Sequence, residues 1–380
     1  MKLSRSIKVA VIAATVALTA TSPAFAGTTI SGAGSTFAAP LIGACKTAWQ
    51  NSTGNTVTYG GGGSGTGRSN ADKGVGEFNF SDATYTPAKS SIIHIPVIAA
   101  PVAIAYNIGK KQTVYLSPET LSNIFAGKIQ YWDDAAITAD NNGTSPQVTF
   151  KKDASGNVVK DKSGKPVVLK TINVKRYFTL PHQKIIVVYR ADGSGTTQNL
   201  VNMFIKKFPS VWSKASSSTF TSVFPGNIND IANLGRFQAA TGSAGVTALA
   251  AKTKYSITYV EASYASAQGL GIASLKNANG QFQTADAGGT AAFLNGATAS
   301  SDGKLTFDYD TKNAGAYILG IVSYALVDSA ATGASAAATK SFLSALLDSK
   351  CPTTDATLQY STITGSLLAT NQALIAKLKG

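Results

Sequence analysis

Short apolar runs alternate along the chain with amphipathic stretches and glycine-rich breaks, which predicts an α/β fold. Residues 28–31 predict a short strand, and residues 40–50 a helix with Leu41, Ala44, Cys45 and Ala48 on one face. Residues 56–59 and 78–81 predict two more strands, with a glycine-rich turn at 60–67 between them. The apolar stretch 92–106 is interrupted by His94, Pro96 and Pro101. It therefore predicts buried strands meeting at a domain junction rather than a membrane span.

Ser117-Pro118-Glu119 is a helix start, with a hydroxyl cap, a first-turn proline and then an acid. Leu121, Ile124 and Phe125 face inward, and the helix stops at Gly127. The run KIIVVY at 184–189 predicts a strand that feeds Asp192-Gly193-Ser194-Gly195-Thr196, and residues 197–207 then predict an amphipathic helix. Residues 150–175 hold two turn signals between polar, β-prone runs and predict a projecting hairpin. Residues 317–327 predict another buried strand and 339–347 another helix.

A chain of 380 residues exceeds one ordinary core and predicts two domains. Its start predicts a secretory signal over 1–26. Lys2, Arg5 and Lys8 precede a twelve-residue apolar run, Val9 to Ala20, and Ala24-Phe25-Ala26 is a small-x-small cleavage pattern. The run is too short to span a bilayer, which favours cleavage over an uncleaved anchor. Cleavage would remove three positive charges, leaving +11 of the formal +14. A basic exported protein suits anionic ligands or surfaces. The positive charges are scattered, and aromatic residues at 9% give no stacking array, so nucleic acid is not the expected partner. Cys45 and Cys351 are the only cysteines. An oxidising compartment allows them to pair, and two separate buried thiols are the alternative.

Three glycine- and hydroxyl-rich turns carry the candidate chemistry: Gly32 to Phe37, Gly60 to Gly67 with Ser64, and Asp192 to Thr196. The first and third lie between a strand and a helix, so free N–H groups and the positive end of a helix dipole point at one place. Glycine allows close backbone approach, and Ser and Thr add neutral donors. Arg190 offers bidentate contact to an anion, with Asp192 placed to hold its guanidinium. A carboxylate only accepts hydrogen bonds, so Asp82 beside an anion suits one that keeps a proton, as phosphate does and sulfate does not.

The stretches GAGSTFAAPL (32–41), YGGGGSGTG (59–67), SDA (81–83), FAGKIQYWDD (125–134), VYRADGSGTT (188–197) and YVE (259–261) resemble, in order, those of the periplasmic phosphate-binding proteins of bacterial ABC-type phosphate importers. The resemblance implies two α/β lobes of the type II substrate-binding fold, joined by a two-stranded hinge, with the ligand in the interlobe cleft. Lobe I would comprise 27–106 and 259–380, and lobe II 107–258. It implies N–H donors at Ser35, Thr36 and Phe37, with the Thr36 hydroxyl; a hydroxyl and N–H at Ser64; and Asp82 as acceptor of the phosphate proton. From the other lobe it implies Arg190 oriented by Asp192, with Ser194, Gly195 and Thr196 closing the cage. The implied protein is exported to the periplasm, with secretion outside the cell as the alternative, is monomeric and free of metal and cofactor, and docks on the permease subunits of its importer. The chain departs from the family pattern at Ala38-Ala39, Thr66 and Thr258, and in its longer hairpin.

Three other readings compete. Residues 62–69 approach a nucleotide-binding loop but carry Arg68 where that loop has lysine. A secreted phosphatase on the same scaffold would use Asp82 with Ser64 or Thr36. His94 and His182, the only histidines, sit in an apolar strand and a loop and show no metal-ligand spacing. An adhesive surface protein with vestigial phosphate binding is the third.

Overall fold

The computed structural model describes residues 27–380 except 110–111, 152, 154–158, 160, 163–165 and 354. The predicted signal segment lies outside the described residues. Eight strands form the path of the main sheet: β1 (Thr29–Gly34), β2 (Thr56–Gly62), β3 (Phe78–Ser81), β4 (Ile92–Asn107), β5 (Ile186–Arg190), β6 (Phe237–Ala240), β7 (Ser256–Glu261) and β8 (Gly320–Asp328). Their order is β2-β1-β3-β8-β4-β7-β5-β6, and a short strand, Gly271–Ile272, also pairs with β4. Four helices border the candidate site: α1 (Ala39–Thr53), α2 (Gly63–Lys73), α3 (Gly195–Lys207) and α4 (Gly242–Lys252). This is the two-lobed mixed α/β architecture expected from the sequence.

The strand β4 joins the two halves of the sheet. It pairs antiparallel with β8 along Ile92–Pro101 and with β7 along Val102–Asn107. The stretch 92–106 is thus one strand, not several. Its prolines explain why it reads as broken. Proline lacks an N–H, so it is tolerated only where the ladder is interrupted. Pro101 stands where β8 gives way to β7, and Pro96 flanks the register shift opposite Ser323 and Tyr324. Nearly every residue of β4 and β8 is buried, as strands covered on both faces require.

The first helix runs slightly longer than predicted and is rotated. It buries Leu41, Ile42, Cys45 and Trp49, while Ala48 is exposed. The larger side chains Ile42 and Trp49 remove more apolar area from water than two alanines and take the inward face. Cys45 and Cys351 form a disulfide with a Cα–Cα distance of 5.5 Å, which ties α1 to the segment after the helix Ala334–Leu347. The stretch 60–67 is not a free turn. It is the end of β2 and the start of α2, because Gly62 and Gly63 at φ 107° and 85° turn the chain within two residues. The hairpin is a two-stranded ribbon, Gly143–Phe150 against Val168–Arg176, which starts earlier than predicted. Its predicted turn at 154–157 lies outside the described residues, as does most of the one at 162–165. Among the described residues, no helix is long and apolar enough to cross a membrane.

Candidate functional site

All ten predicted site residues converge where β1, β3 and α2 of one half meet β5, α3 and α4 of the other. Their centre is Asp82, which is 3 % exposed. Its Oδ1 accepts hydrogen bonds from the hydroxyls of Ser35 and, at 2.7 Å, Ser323. Its Oδ2 accepts from Ser64 and Thr196, both at 3.2 Å. Four donors match the roughly four lone-pair directions of a carboxylate. Burial pushes the Asp82 carboxyl above its usual range, and bonds from Ser35 and Ser323, together with the Arg190 charge, oppose that rise.

Each donor is placed by a local device. Ser35 ends the turn after β1, and its N–H donates to the Phe80 carbonyl at 2.9 Å. That N–H is therefore committed to the sheet, which corrects its predicted role as a free backbone donor; the hydroxyl serves the site instead. Ser64 lies in the first turn of α2, and Thr196 in the first turn of α3. The first turn of a helix leaves N–H groups without intrahelical partners. Ser194 caps α3 by accepting from the Thr197 N–H at 3.1 Å, and its own N–H donates to Ser218. The N–H of Ser194 is also spoken for; Gly195 and Thr196 are the first two residues of α3. Phe37 buries its ring against Tyr360, leaving only its backbone to serve the site.

Arg190 and Asp192 pair as the sequence predicts. Arg190 Nε donates to Asp192 Oδ1 at 2.7 Å, and Nη2 donates to Oδ2. Burial works against the Arg190 charge, but the Asp192 carboxylate outweighs it and holds the guanidinium above its ordinary range. Asp192 is half-buried, which works against its charge, but its bonds to Arg190 and the Gly242 N–H hold it below the usual carboxylate range. The pair lies against Gly63, where an added Cβ would collide with Asp192 Oδ2.

The two halves are in contact across this centre. The Gly65 N–H donates to the Gly193 carbonyl at 2.8 Å. Thr36 Oγ1 lies 2.9 Å from Ser243 Oγ. Asn199 Nδ2 reaches the Asp82 carbonyl at 2.6 Å, and Arg68 Nη1 reaches Gln198 at 3.1 Å. A Cβ at Gly195 would lie 2.7 Å from Ser64 Oγ and 2.8 Å from Asp82 N. Gly195→Ala therefore prevents full contact of the halves. We expect an affinity loss of about ten- to hundredfold for the ligand proposed below, with unchanged secondary structure. Calorimetric titration with far-UV circular dichroism checks this.

Several residues of the site were missed from sequence. Ser323 approaches Asp82 from 241 positions away, and its one local signal is a hydroxyl inside an apolar strand. Ser243 meets Thr36 from the start of α4. Tyr259 accepts from the Arg190 N–H at 3.1 Å and lies 2.7 Å from Thr197 Oγ1. Glu261 is buried beside them. The histidines stand apart: His94 packs between Tyr85 and Tyr324, and His182 stacks on Tyr131 and pairs with Asp133. Among the described residues, no cluster of His, Cys, Asp or Glu could hold a metal ion.

Comparison with known proteins places the chain in a family. A family model described as a PBP superfamily domain matches residues 19–350. The chain is 32% identical over 239 residues to a phosphate-binding protein PstS of Methanocaldococcus jannaschii, covering 60% of this chain and 51% of that protein. It is 30% identical over 283 residues to a phosphate-binding protein PstS of Pasteurella multocida, covering 73% and 68%. The match thus spans about half the length of the first relative and two thirds of the second. Among solved structures, a high-affinity periplasmic phosphate-binding protein (PfluDING) bound with phosphate superposes with a TM-score of 0.65 at 20% identity, covering 90% of this chain and 93% of the other. A putative phosphate ABC transporter substrate-binding protein of Clostridium perfringens gives 0.54 at 16%, covering 88% and 100%. At these identities the two structures establish the fold. The family model and the sequence relatives show that the chain belongs to the periplasmic phosphate-binding protein family.

Proposed function

We propose that this protein captures inorganic phosphate between its lobes and delivers it to an ABC-type importer. The observation that carries the reading is the convergence of two helix starts, four hydroxyls, one guanidinium and one carboxylate at Asp82. The ligands are Thr36, Phe37, Ser64, Asp82, Arg190, Ser194, Gly195 and Thr196. Ser35 supports Asp82 through its hydroxyl, and Asp192 orients Arg190. Lobe I, residues 27–106 and 259–380, binds first through Thr36, Phe37, Ser64 and Asp82. Lobe II, residues 107–258, then closes over the ion.

Asp82 explains how the site can discriminate. The P–OH of hydrogen phosphate donates to Asp82 Oδ2, where the Ser64 and Thr196 bonds are longest. Those two hydroxyls then turn their hydrogens onto the other phosphate oxygens. A sulfate oxygen has no proton to offer and would face the carboxylate acceptor to acceptor, which is costly in a buried site. The remaining charge is met by Arg190 and by the N–H groups at the starts of α2 and α3, each charge-assisted bond being worth about 1.5–3 kcal/mol before desolvation. Differential affinity for the closed form drives closure. The importer's permease subunits recognise that closed form, and the protein acts as an exported monomer in the periplasm.

The relatives are binding proteins, and the binding reading outweighs the phosphatase alternative. The test is a titration of phosphate-free protein with phosphate and sulfate, alongside Asp82→Asn. Wild type binds phosphate and rejects sulfate, and Asp82→Asn narrows the ratio by at least about tenfold, the equivalent of one lost buried hydrogen bond. An unchanged ratio removes Asp82 from selectivity. No phosphate binding by wild type removes the function. Turnover of a phosphomonoester, lost in Asp82→Asn, would favour the phosphatase.

A further inference from the structure

Glu261 is 1 % exposed, and neither carboxylate oxygen has a hydrogen-bond partner. An ionised carboxylate so placed is expensive unless something compensates it. Its position is not incidental. Glu261 ends β7 two residues after Tyr259, and alternate residues of a strand share a face. The Tyr259 hydroxyl on that face touches the Arg190 N–H and Thr197 at the start of α3. Glu261 therefore points toward the candidate anion site, near Arg190 and Asp82.

The groups that act on it can be named element by element. Asp82, after β3, is a like charge. Arg190, on β5, is an opposite charge, already engaged by Asp192. Ser243, at the start of α4, is near enough to act on the carboxylate, and its Oγ lies 2.9 Å from Thr36 Oγ1. Tyr264, in the short helix Ala262–Ala267 after β7, and Tyr360, near the C-terminus, interact with it and bring no charge at neutral pH. Three acidic residues and one arginine thus meet around a site meant for an anion. If all ionised, that set is net negative before the ligand arrives, and an added anion repels Glu261 further.

We propose that Glu261 is a specificity-determining residue of the phosphate site that takes up a proton from solvent when the anion is enclosed. The proton goes from buffer to one Glu261 carboxylate oxygen. The neutral acid then removes one negative charge from the wall, and its O–H becomes a donor toward the Ser243–Thr36 pair. Burial first, and then the Asp82 charge, push this carboxyl up to about 7. The inference rests on the phosphate reading above.

The test is calorimetric titration with phosphate in two buffers of different ionisation enthalpy, from pH 6 to 8.5, on wild type and Glu261→Gln. Phosphate's own ionisation is common to both proteins and cancels in the difference. Wild type takes up more protons than the variant on binding. Its affinity also falls about tenfold more between pH 7 and 8.5, because ionised Glu261 must be neutralised first and each pH unit above its midpoint costs up to a factor of ten. Equal proton uptake and equal pH slopes overturn the proposal. No binding heat with wild type overturns the phosphate reading itself. Carbon NMR of the labelled Glu261 carboxyl in wild type decides the matter if the variant does not fold. The titration midpoint rises by more than one pH unit on adding phosphate if the proposal holds, and stays fixed if it does not.

Discussion

Thr196→Asp is expected to weaken phosphate binding by about a thousandfold or more. Thr196 is 1 % exposed, and its hydroxyl donates to Asp82 Oδ2 at 3.2 Å. The substitution exchanges that donor for an acceptor and sets a second carboxylate against the first. Two like charges about 4 Å apart at an effective dielectric of about 20 repel by about 4 kcal/mol, which equals three decades of affinity. The incoming anion would meet the same repulsion. The fold should survive, because an acid in the first turn of α3 suits the helix dipole. Titration calorimetry gives the affinity, and small-angle scattering shows whether the lobes separate. Retained affinity would remove Thr196, and the closing role of α3 with it, from the site.

Replacing Cys45 and Cys351 with serine is expected to have the largest effect on stability. The bridge closes a loop with a sequence separation of 306. In the chain-entropy model, a loop of that length is worth about 5 kcal/mol, acting mostly on the unfolded state. For a chain of this size, the unfolding temperature should fall by about 5–10 °C. Phosphate affinity at 25 °C should change little, because the folded cage is untouched. Thermal unfolding with and without reductant, followed by tryptophan fluorescence, measures it. An unfolding temperature that does not move would mean that α1 and the C-terminal region hold together without the bridge.

The contrast between these two predictions reflects a division of labour in the molecule. The disulfide and the buried strands β4 and β8 fix the frame. The site itself is held by short-range bonds from hydroxyls, nearly all of them at strand ends or helix starts. Such donors are neutral and cost little to bury when paired, whereas additional fixed charges would bind anions with less discrimination. Arg190 is the exception, and Asp192 sets its plane so that one guanidinium edge is committed and its direction is fixed.

Much of the site was legible in the sequence because its chemistry is local. A strand followed by glycine, a hydroxyl residue and a helix predicts where N–H groups point, whatever the rest of the chain does. Ser35 to Phe37 and Asp192 to Thr196 do lie between a strand and a helix, but the Ser35 and Ser194 N–H groups are taken by the Phe80 and Ser218 carbonyls; the spacing of Arg190 and Asp192 predicted their pairing. The elements around them were also readable from period and caps: Ser117 caps its helix through the Thr120 N–H at 3.3 Å, as its residue type foretold. Errors arose where two local signals competed. The glycines at 60–67 read as a turn, yet two positive-φ residues were enough to pass from strand directly to helix. The prolines of 92–106 read as breaks, yet each sits where the ladder has no need of its N–H. The inward face of α1 was set by Ile42 and Trp49, whose size outweighed the tidier alanine pattern.

The sequence alone, then, determined the alternation of strands and helices and the glycine- and hydroxyl-rich turns that border the candidate site, because backbone geometry and side-chain donors act over a few residues. Only the tertiary structure decided which distant groups meet: Ser323 with Asp82, Ser243 with Thr36, Glu261 near Asp82 and Ser243, and, away from the site, Cys45 with Cys351. These contacts span 207 to 306 positions where they are paired, and no local pattern encodes them. They arise from the order in which strands enter the sheet, and that order is set by burying the whole chain at once.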